Sequence, residues 1–162
     1  MEPWLIPMLK GLILVPITLL PIINPLSTAP IFAASVRGND QMGTQLARQV
    51  AINAWFVIVV SILIGTYVLA LFGISLPVVR IGGGLLVAAT GWRMLHRNEE
   101  DDVHAAAAAV TTEMSSAEIV RRSFYPITFP LTTGPGTIAA SIALGADAPR
   151  SPLLYLAGAA AL

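Results

Sequence analysis

Two short segments of the chain combine prolines, hydroxyls and small residues in the same order. Residues 21–34 have the sequence PIINPLSTAPIFAA and residues 126–139 have PITFPLTTGPGTIA, so 7 of 14 positions match at an offset of 105 residues. Three of the matches are prolines, and proline lacks an amide hydrogen and clashes with the carbonyl four residues earlier. Neither segment is therefore expected to form one regular helix, and its freed backbone groups must be satisfied by other protein groups or in a water-filled cavity.

Together the two segments offer hydroxyls, one side-chain amide and unpaired backbone groups. Such groups suit a small polar or zwitterionic ligand, and half-helix N-termini attract its carboxylate. Asn24 supplies an amide that both donates and accepts, whereas Phe129 holds its place in the second copy. Gly134 and Gly136 would let the backbone approach the ligand. The candidate binding residues are Asn24, Pro25, Ser27, Thr28, Pro30, Thr132, Thr133, Gly134, Pro135 and Gly136. The alternative is that the prolines only kink ordinary helices.

A third candidate feature is Arg80 and the glycine run that follows it. Gly84, Ala88 and Gly91 lie at i, i+4 and i+7, a small-residue helix face that lets another helix approach closely. Arg80 either binds the ligand or extends to the lipid headgroups, and the sequence leaves both roles open. We include it among the candidate binding residues.

The composition indicates what must position these residues. Apolar residues make up 56% of the 162-residue chain and charged residues 11%, against about 25% in soluble domains. So little charge excludes a soluble enzyme or a disordered chain, and the zero formal charge excludes a nucleic-acid binder. The absence of cysteine excludes thiolate metal sites. The apolar runs hold no base for a nucleophile, so we expect neither an enzyme nor a bound cofactor or metal.

Long uncharged runs predict an all-α, polytopic transmembrane helical bundle. Candidate spans cover 11–36, 50–72, 76–95 and 123–146, and a fifth begins at Ser151. Because the second proline segment lies three spans after the first, the copies enter the membrane from opposite faces, as in an inverted repeat.

The domain organisation follows from this repeat. We expect a first three-helix membrane repeat over 1–95, a loop over 96–122 and the start of a second repeat over 123–162, truncated in helix five. Residues 37–48 and 93–122 hold six of the nine Lys and Arg residues. This bias predicts that the 96–122 loop is cytoplasmic and the N-terminus outside.

Three segments together resemble the MarC family of bacterial inner-membrane proteins: LLPIINPLSTAPIF, FGISLPVVRIGGGLLVAATGWRML and ITFPLTTGPGTIA. The resemblance implies a multi-pass inner-membrane protein with two three-helix halves, related to amino-acid exporters of the LysE type. It further implies a secondary transporter or exporter of small neutral amino acids working by alternating access. The expected partners are the lipid bilayer and such a solute, with a homo-oligomer left open. The alternative function is a non-transporting membrane assembly or stress-related protein.

Overall fold

The computed structural model describes residues 5–36, 40–96 and 123–147. Every regular element in these ranges is helical, which confirms the all-α fold class. The elements are α1 (Leu5–Ile23), α2 (Pro25–Val36), α3 (Asp40–Leu71), α4 (Leu76–His96), an irregular segment (Ser123–Thr132) and α5 (Pro135–Ala146).

Within the described ranges, one helix is long and apolar enough to cross a membrane by itself. It is Gln41–Leu71, and the irregular segment with α5 makes a second candidate if this pair, bent by 68°, is one span. A shorter apolar helix covers Ile13–Ile23. The third expected span forms α4, whereas the expected loop beyond His96 and the fifth candidate span lie outside the described residues.

The first proline segment is broken at one residue. α1 ends at Ile23 and α2 begins at Pro25, and between them Asn24 has a φ of 49° in the left-handed region. The prediction that this segment is not one regular helix is confirmed. Only one of its prolines marks the break, however, because Pro21 and Pro30 lie inside helices that continue past them.

The second proline segment is broken more extensively. Tyr125 and Phe129 have extended backbone angles inside the irregular segment, and the peptide bond between Phe129 and Pro130 is cis. After Gly134, α5 starts at Pro135, the helix position at which a missing amide hydrogen costs least. With the 105-residue offset, Phe129 is the equivalent of Asn24, so both copies depart from helical geometry at the same repeat position.

α5 lies at the centre of the bundle. At one end Leu144 packs with Val15 and Leu19 of α1, and at the other Gly136 lies close to Ile22, so α1 and α5 are antiparallel. α4 is also antiparallel to α5, because Arg80 pairs with Asp147 while Val87 lies beside Gly136. α3 packs on both the irregular segment and α5, with Asn53 beside Ser123 and with Ile62 and Gly65 beside Gly145 and Ile142.

The surface of this bundle is apolar. Large hydrophobic side chains on the outward faces of α1, α3 and α4 are exposed, including Ile17, Val60, Tyr67, Ile81 and Leu85. A contiguous apolar exterior of this kind is typical of a surface in contact with lipid or with other protein. The buried clusters are small by comparison. The main one consists of Val15, Leu19, Ile58, Val59, Ile62 and Leu144, and a second contains Leu46 and Ile127.

Candidate functional site: a cleft between the two broken segments

A cleft of about 870 Å³ separates the first proline segment from the second. Its third wall is the N-terminal half of α3, which contributes Trp55 and Phe56 among mostly apolar residues. The first proline segment contributes Ile23, Pro25, Thr28, Ala29 and Phe32, with Leu20 just before it, and the second contributes Ile127, Leu131 and Thr132. All of these elements belong to the half of the molecule where α2 ends and α3 begins.

The polar side chains that line the cleft are two threonine hydroxyls and the indole N–H of Trp55. Thr28 Oγ1 lies 3.2 Å from the Pro25 carbonyl oxygen and 3.4 Å from that of Asn24, and Thr132 Oγ1 donates to the Ile127 carbonyl at 2.9 Å. Each hydroxyl hydrogen is thus used on a backbone carbonyl next to a break. The hydroxyl oxygens keep their acceptor capacity, so they can accept a hydrogen bond from a ligand.

Buried hydroxyls continue along the second proline segment at intervals of about one turn. Thr128 donates to the Ser123 carbonyl at 2.6 Å and Thr133 donates to the Thr128 carbonyl at 3.0 Å, each across five residues. Thr137 and Ser141 are also buried, and the Ser141 hydroxyl has no hydrogen-bond partner. The Thr128 and Thr133 hydroxyls thus bond to carbonyls within the irregular segment, and the Thr128 carbonyl also accepts the Thr133 amide hydrogen at 2.7 Å.

A second, smaller groove of about 410 Å³ lies on the opposite side of the breaks, between α1, α4 and α5. Arg80 Nη2 and Asp147 Oδ1 form an ion pair of 2.6 Å at one end of it. The two side chains are 44% and 63% exposed, so the pair is a surface interaction. It joins the start of α4 to the end of α5 and thereby links the two expected halves of the protein.

The structure places the candidate residues in three groups. Pro25, Thr28 and Thr132 line the cleft, whereas Arg80 and Gly136 line the opposite groove. A Cβ on Gly136 would come within 2.8 Å of Val87, so this glycine allows α4 to approach α5. The side chain of Ser27 lies outside the described part of the structure. The remaining candidates line neither the cleft nor the groove; they are Asn24, Pro30, Thr133, Gly134 and Pro135.

Two of these residues instead maintain the breaks. Thr133 is fully buried, and its hydroxyl donates to the Thr128 carbonyl. Gly134 lies against the Pro130 carbonyl oxygen, which would be 2.9 Å from a Cβ added to this glycine. The expected small-residue face of α4 is open among the described residues, because a Cβ at Gly84 or Gly91 would meet nothing within 4 Å.

Sequence reasoning missed the contribution of α3 and the partner of Arg80. Asn53 donates to the Ser123 hydroxyl at 3.3 Å, which ties α3 to the start of the second proline segment. Asp147 is the first acidic residue after the uncharged run 123–146, and that position was a signal for a partner of a basic residue at a membrane boundary. Within the described ranges, no group of three or more His, Asp or Glu residues could hold a metal ion.

Comparison with known proteins identifies the family. The sequence profile of the family described as MarC family integral membrane protein matches residues 9–162. The protein named UPF0056 inner membrane protein MarC from Citrobacter koseri is 31% identical over 87% of this chain and 70% of its own length. Relatives of the same name from Escherichia coli O157:H7 and Salmonella paratyphi B are 34% and 32% identical over 76% of the chain.

The chain spans 56% of the length of these two relatives. No solved structure shows significant similarity to it. The match over nearly the whole chain, on a helical bundle with an apolar exterior, confirms the resemblance in the sequence. The chain belongs to the MarC family of integral membrane proteins, and it is a protein of the inner membrane.

Proposed function

We propose that this protein is a secondary transporter of small neutral amino acids rather than an enzyme, and that the cleft between the two broken segments holds the solute. The observation that supports this most directly is that two segments with the same sequence pattern break at the same repeat position and border one cleft. Paired interruptions in corresponding positions of two halves are typical of transporter substrate sites.

The polarity of the cleft favours a zwitterion. The hydroxyl oxygens of Thr28 and Thr132 are acceptors, which suits a ligand ammonium group. Pro25, the first residue of α2, lines the cleft, so the positive end of the α2 dipole is available to a carboxylate. None of the residues that line the cleft is charged, and a neutral side chain therefore fits its walls better than a charged one.

The arrangement of the two openings supports alternating access. The cleft lies in the half of the bundle where α2 ends, and the groove with Arg80 and Asp147 lies in the half where α3 ends and α4 begins. Between them the α1 residues Ile22 and Ile23 face the groove and the cleft respectively. α1 belongs to the first copy and α5 to the second, and their antiparallel packing is the opposite direction of the two copies that an inverted repeat predicts.

The experiment is binding and exchange of labelled alanine in proteoliposomes, with Thr132→Ala as the test variant. Loss of one hydrogen bond to the solute should weaken its affinity about 3- to 10-fold. Thr90→Ala is the matched control, because Thr90 is an exposed α4 residue whose hydroxyl bonds to the Leu86 carbonyl of its own helix. Equal affinities for both variants would contradict the cleft as the solute site, and no exchange at all would favour the non-transporting assembly instead.

A further inference from the structure

The groove opposite the cleft carries two opposite charges side by side at one end, which we call its mouth. There Arg80 Nη2 contacts Asp147 Oδ1 at 2.6 Å. This contact uses one of the five N–H donors of a guanidinium and one of the two oxygens of a carboxylate. Both side chains are exposed, so a solute can reach them. Each charge can therefore hold a second partner without giving up the first.

The helices that carry these two charges have the same polarity as the side chains. α4 begins at Leu76, one turn before Arg80, and α5 ends at Ala146, next to Asp147. A helix has a partial positive charge at its N-terminus and a partial negative charge at its C-terminus. Because α4 and α5 are antiparallel, the positive end of α4 lies beside the negative end of α5. The α4 wall of the mouth is thus positive and the α5 wall is negative.

We propose that the mouth of the groove is a second solute site, which binds the zwitterion of an α-amino acid with its carboxylate on Arg80 and its ammonium group on Asp147. The two charged groups of an α-amino acid are attached to one carbon, so they lie side by side as the two protein charges do. A guanidinium binds a carboxylate through two parallel hydrogen bonds, and a carboxylate accepts hydrogen bonds from an ammonium group. A molecule with only one of the two charges satisfies only one wall.

The walls next to the mouth favour a small, uncharged side chain on this amino acid. One turn inward from the two charges lie Gly84 on α4 and Ala143 on α5, and both line the groove of about 410 Å³. A Cβ at Gly84 would meet nothing within 4 Å, so there is space beside it, whereas Gly83 is already used to pack α4 against Ala139. A charged side chain placed against these walls would lose its hydration without gaining a partner.

This site differs from the cleft in the way it recognises the solute. None of the described residues that line the cleft is charged, so its hydroxyls and helix dipole act on the zwitterion without a full charge. The mouth of the groove instead offers one full charge of each sign. The site extends the proposed function and rests on it for the choice of alanine as the probe, because it gives the same class of solute a second position on the opposite side of the breaks.

Maleimide labelling of Ala143→Cys in membranes tests this site, because the chain has no cysteine of its own. Alanine should slow the labelling, whereas ethylamine and propionate, which each lack one of its charged groups, should have no effect at the same concentrations. Adding Arg80→Gln should raise the half-protecting concentration of alanine about 10- to 100-fold, the effect of losing a hydrogen bond to a charged group. The matched control is Arg93→Gln, because Arg93 is an exposed α4 residue outside the groove and should leave the protection unchanged.

The second charge is tested by Asp147→Asn in the same Ala143→Cys background. Without the carboxylate the ammonium group has no charged partner, so alanine and propionate should then protect about equally. Protection of Ala143→Cys by propionate alone in the parent, no protection by alanine, or unchanged protection in Arg80→Gln would overturn the proposal. Alanine protection of Thr132→Cys in the cleft should persist in Arg80→Gln, so the groove site and the cleft site fail separately.

Discussion

The two proline segments break at equivalent residues and nevertheless have different surroundings. Leu26 of the first segment is 86% exposed, whereas its repeat equivalent Leu131 is half-buried. Ile127 of the second segment is 7% exposed, and its equivalent Ile22 is only partly covered. Local sequence therefore determines where the chain breaks, but the packing of α1, α3 and α4 around α5 determines which copy is buried.

The chemistry of the two breaks differs for the same reason. In the exposed copy a single left-handed residue, Asn24, turns the chain, and the Thr28 hydroxyl covers the carbonyls beside it. In the buried copy the irregular segment extends over ten residues, and successive hydroxyls satisfy its carbonyls. At membrane depth both breaks must pair their polar backbone groups with other protein groups or in a water-filled cavity, and the buried copy does so over a longer stretch of chain.

The largest effect is expected where the second segment is most tightly enclosed. A Cβ at Gly145 would collide with the backbone of Ile62 in α3, so Gly145→Ala should lower the free energy of unfolding by up to about 3 kcal/mol. Gly91→Ala on α4 is the control, because nothing lies within 4 Å of its Cβ position. Thermal unfolding in detergent should show a lower midpoint for the first variant alone, and equal midpoints would argue against close packing of α3 on α5.

The two equivalent threonines provide the sharpest internal comparison. Thr133→Val removes a fully buried hydroxyl bonded to the Thr128 carbonyl, and we expect a loss of about 1–2 kcal/mol. Thr28→Val removes a half-buried hydroxyl whose carbonyl partners can find other donors, and the expected loss is below about 0.5 kcal/mol. Unfolding midpoints of the two variants, measured side by side, test this expectation. A larger loss of stability at position 28 would mean that the first proline segment, and not the second, is the buried copy.

Asn24 tests the first break by itself. Its left-handed backbone is accessible to glycine and unfavourable for a β-branched side chain, so Asn24→Val should cost about 1 kcal/mol more than Asn24→Gly. The same pair of substitutions at Phe129 should show no such excess, because Phe129 has extended angles that any residue adopts. Equal stability of both Asn24 variants would mean that the break does not depend on this conformation.

The smallest effect is expected at the ion pair. Arg80→Gln should change the free energy of unfolding by no more than about 1 kcal/mol, because exposed pairs contribute little. Any loss should shrink in high salt, which screens surface charges. An unfolding midpoint that falls strongly and independently of salt would show that Arg80 has a structural partner beyond Asp147.

Much of the fold was predictable because composition and proline positions act locally. The uncharged runs predicted the helices, and the matched prolines predicted two interrupted segments. Which proline marks a break was not predictable, since Pro21 and Pro30 are accommodated inside helices. The break at Asn24 depends on a left-handed residue before Pro25, and residues preceding proline are disfavoured in the helical region.

The site was harder to predict because its residues come from elements far apart in the chain. The hydroxyls of Thr28 and Thr132 were identified from the repeat, but the α3 wall has no corresponding motif. Arg80 and Gly136 belong to the second groove because α4 packs on α5, a tertiary relation that spacing within one helix does not contain. Residue type thus identified polar positions, and only packing determined which opening each one borders.

In the proposed mechanism the two broken segments bind one solute together. The direct measurement is maleimide labelling of Thr28→Cys and of Thr132→Cys in membranes, each titrated with alanine, and with Thr90→Cys as the control. We predict that alanine protects both cleft positions with the same half-maximal concentration and leaves position 90 unaffected. Protection at only one cleft position, or at neither, would contradict a shared site.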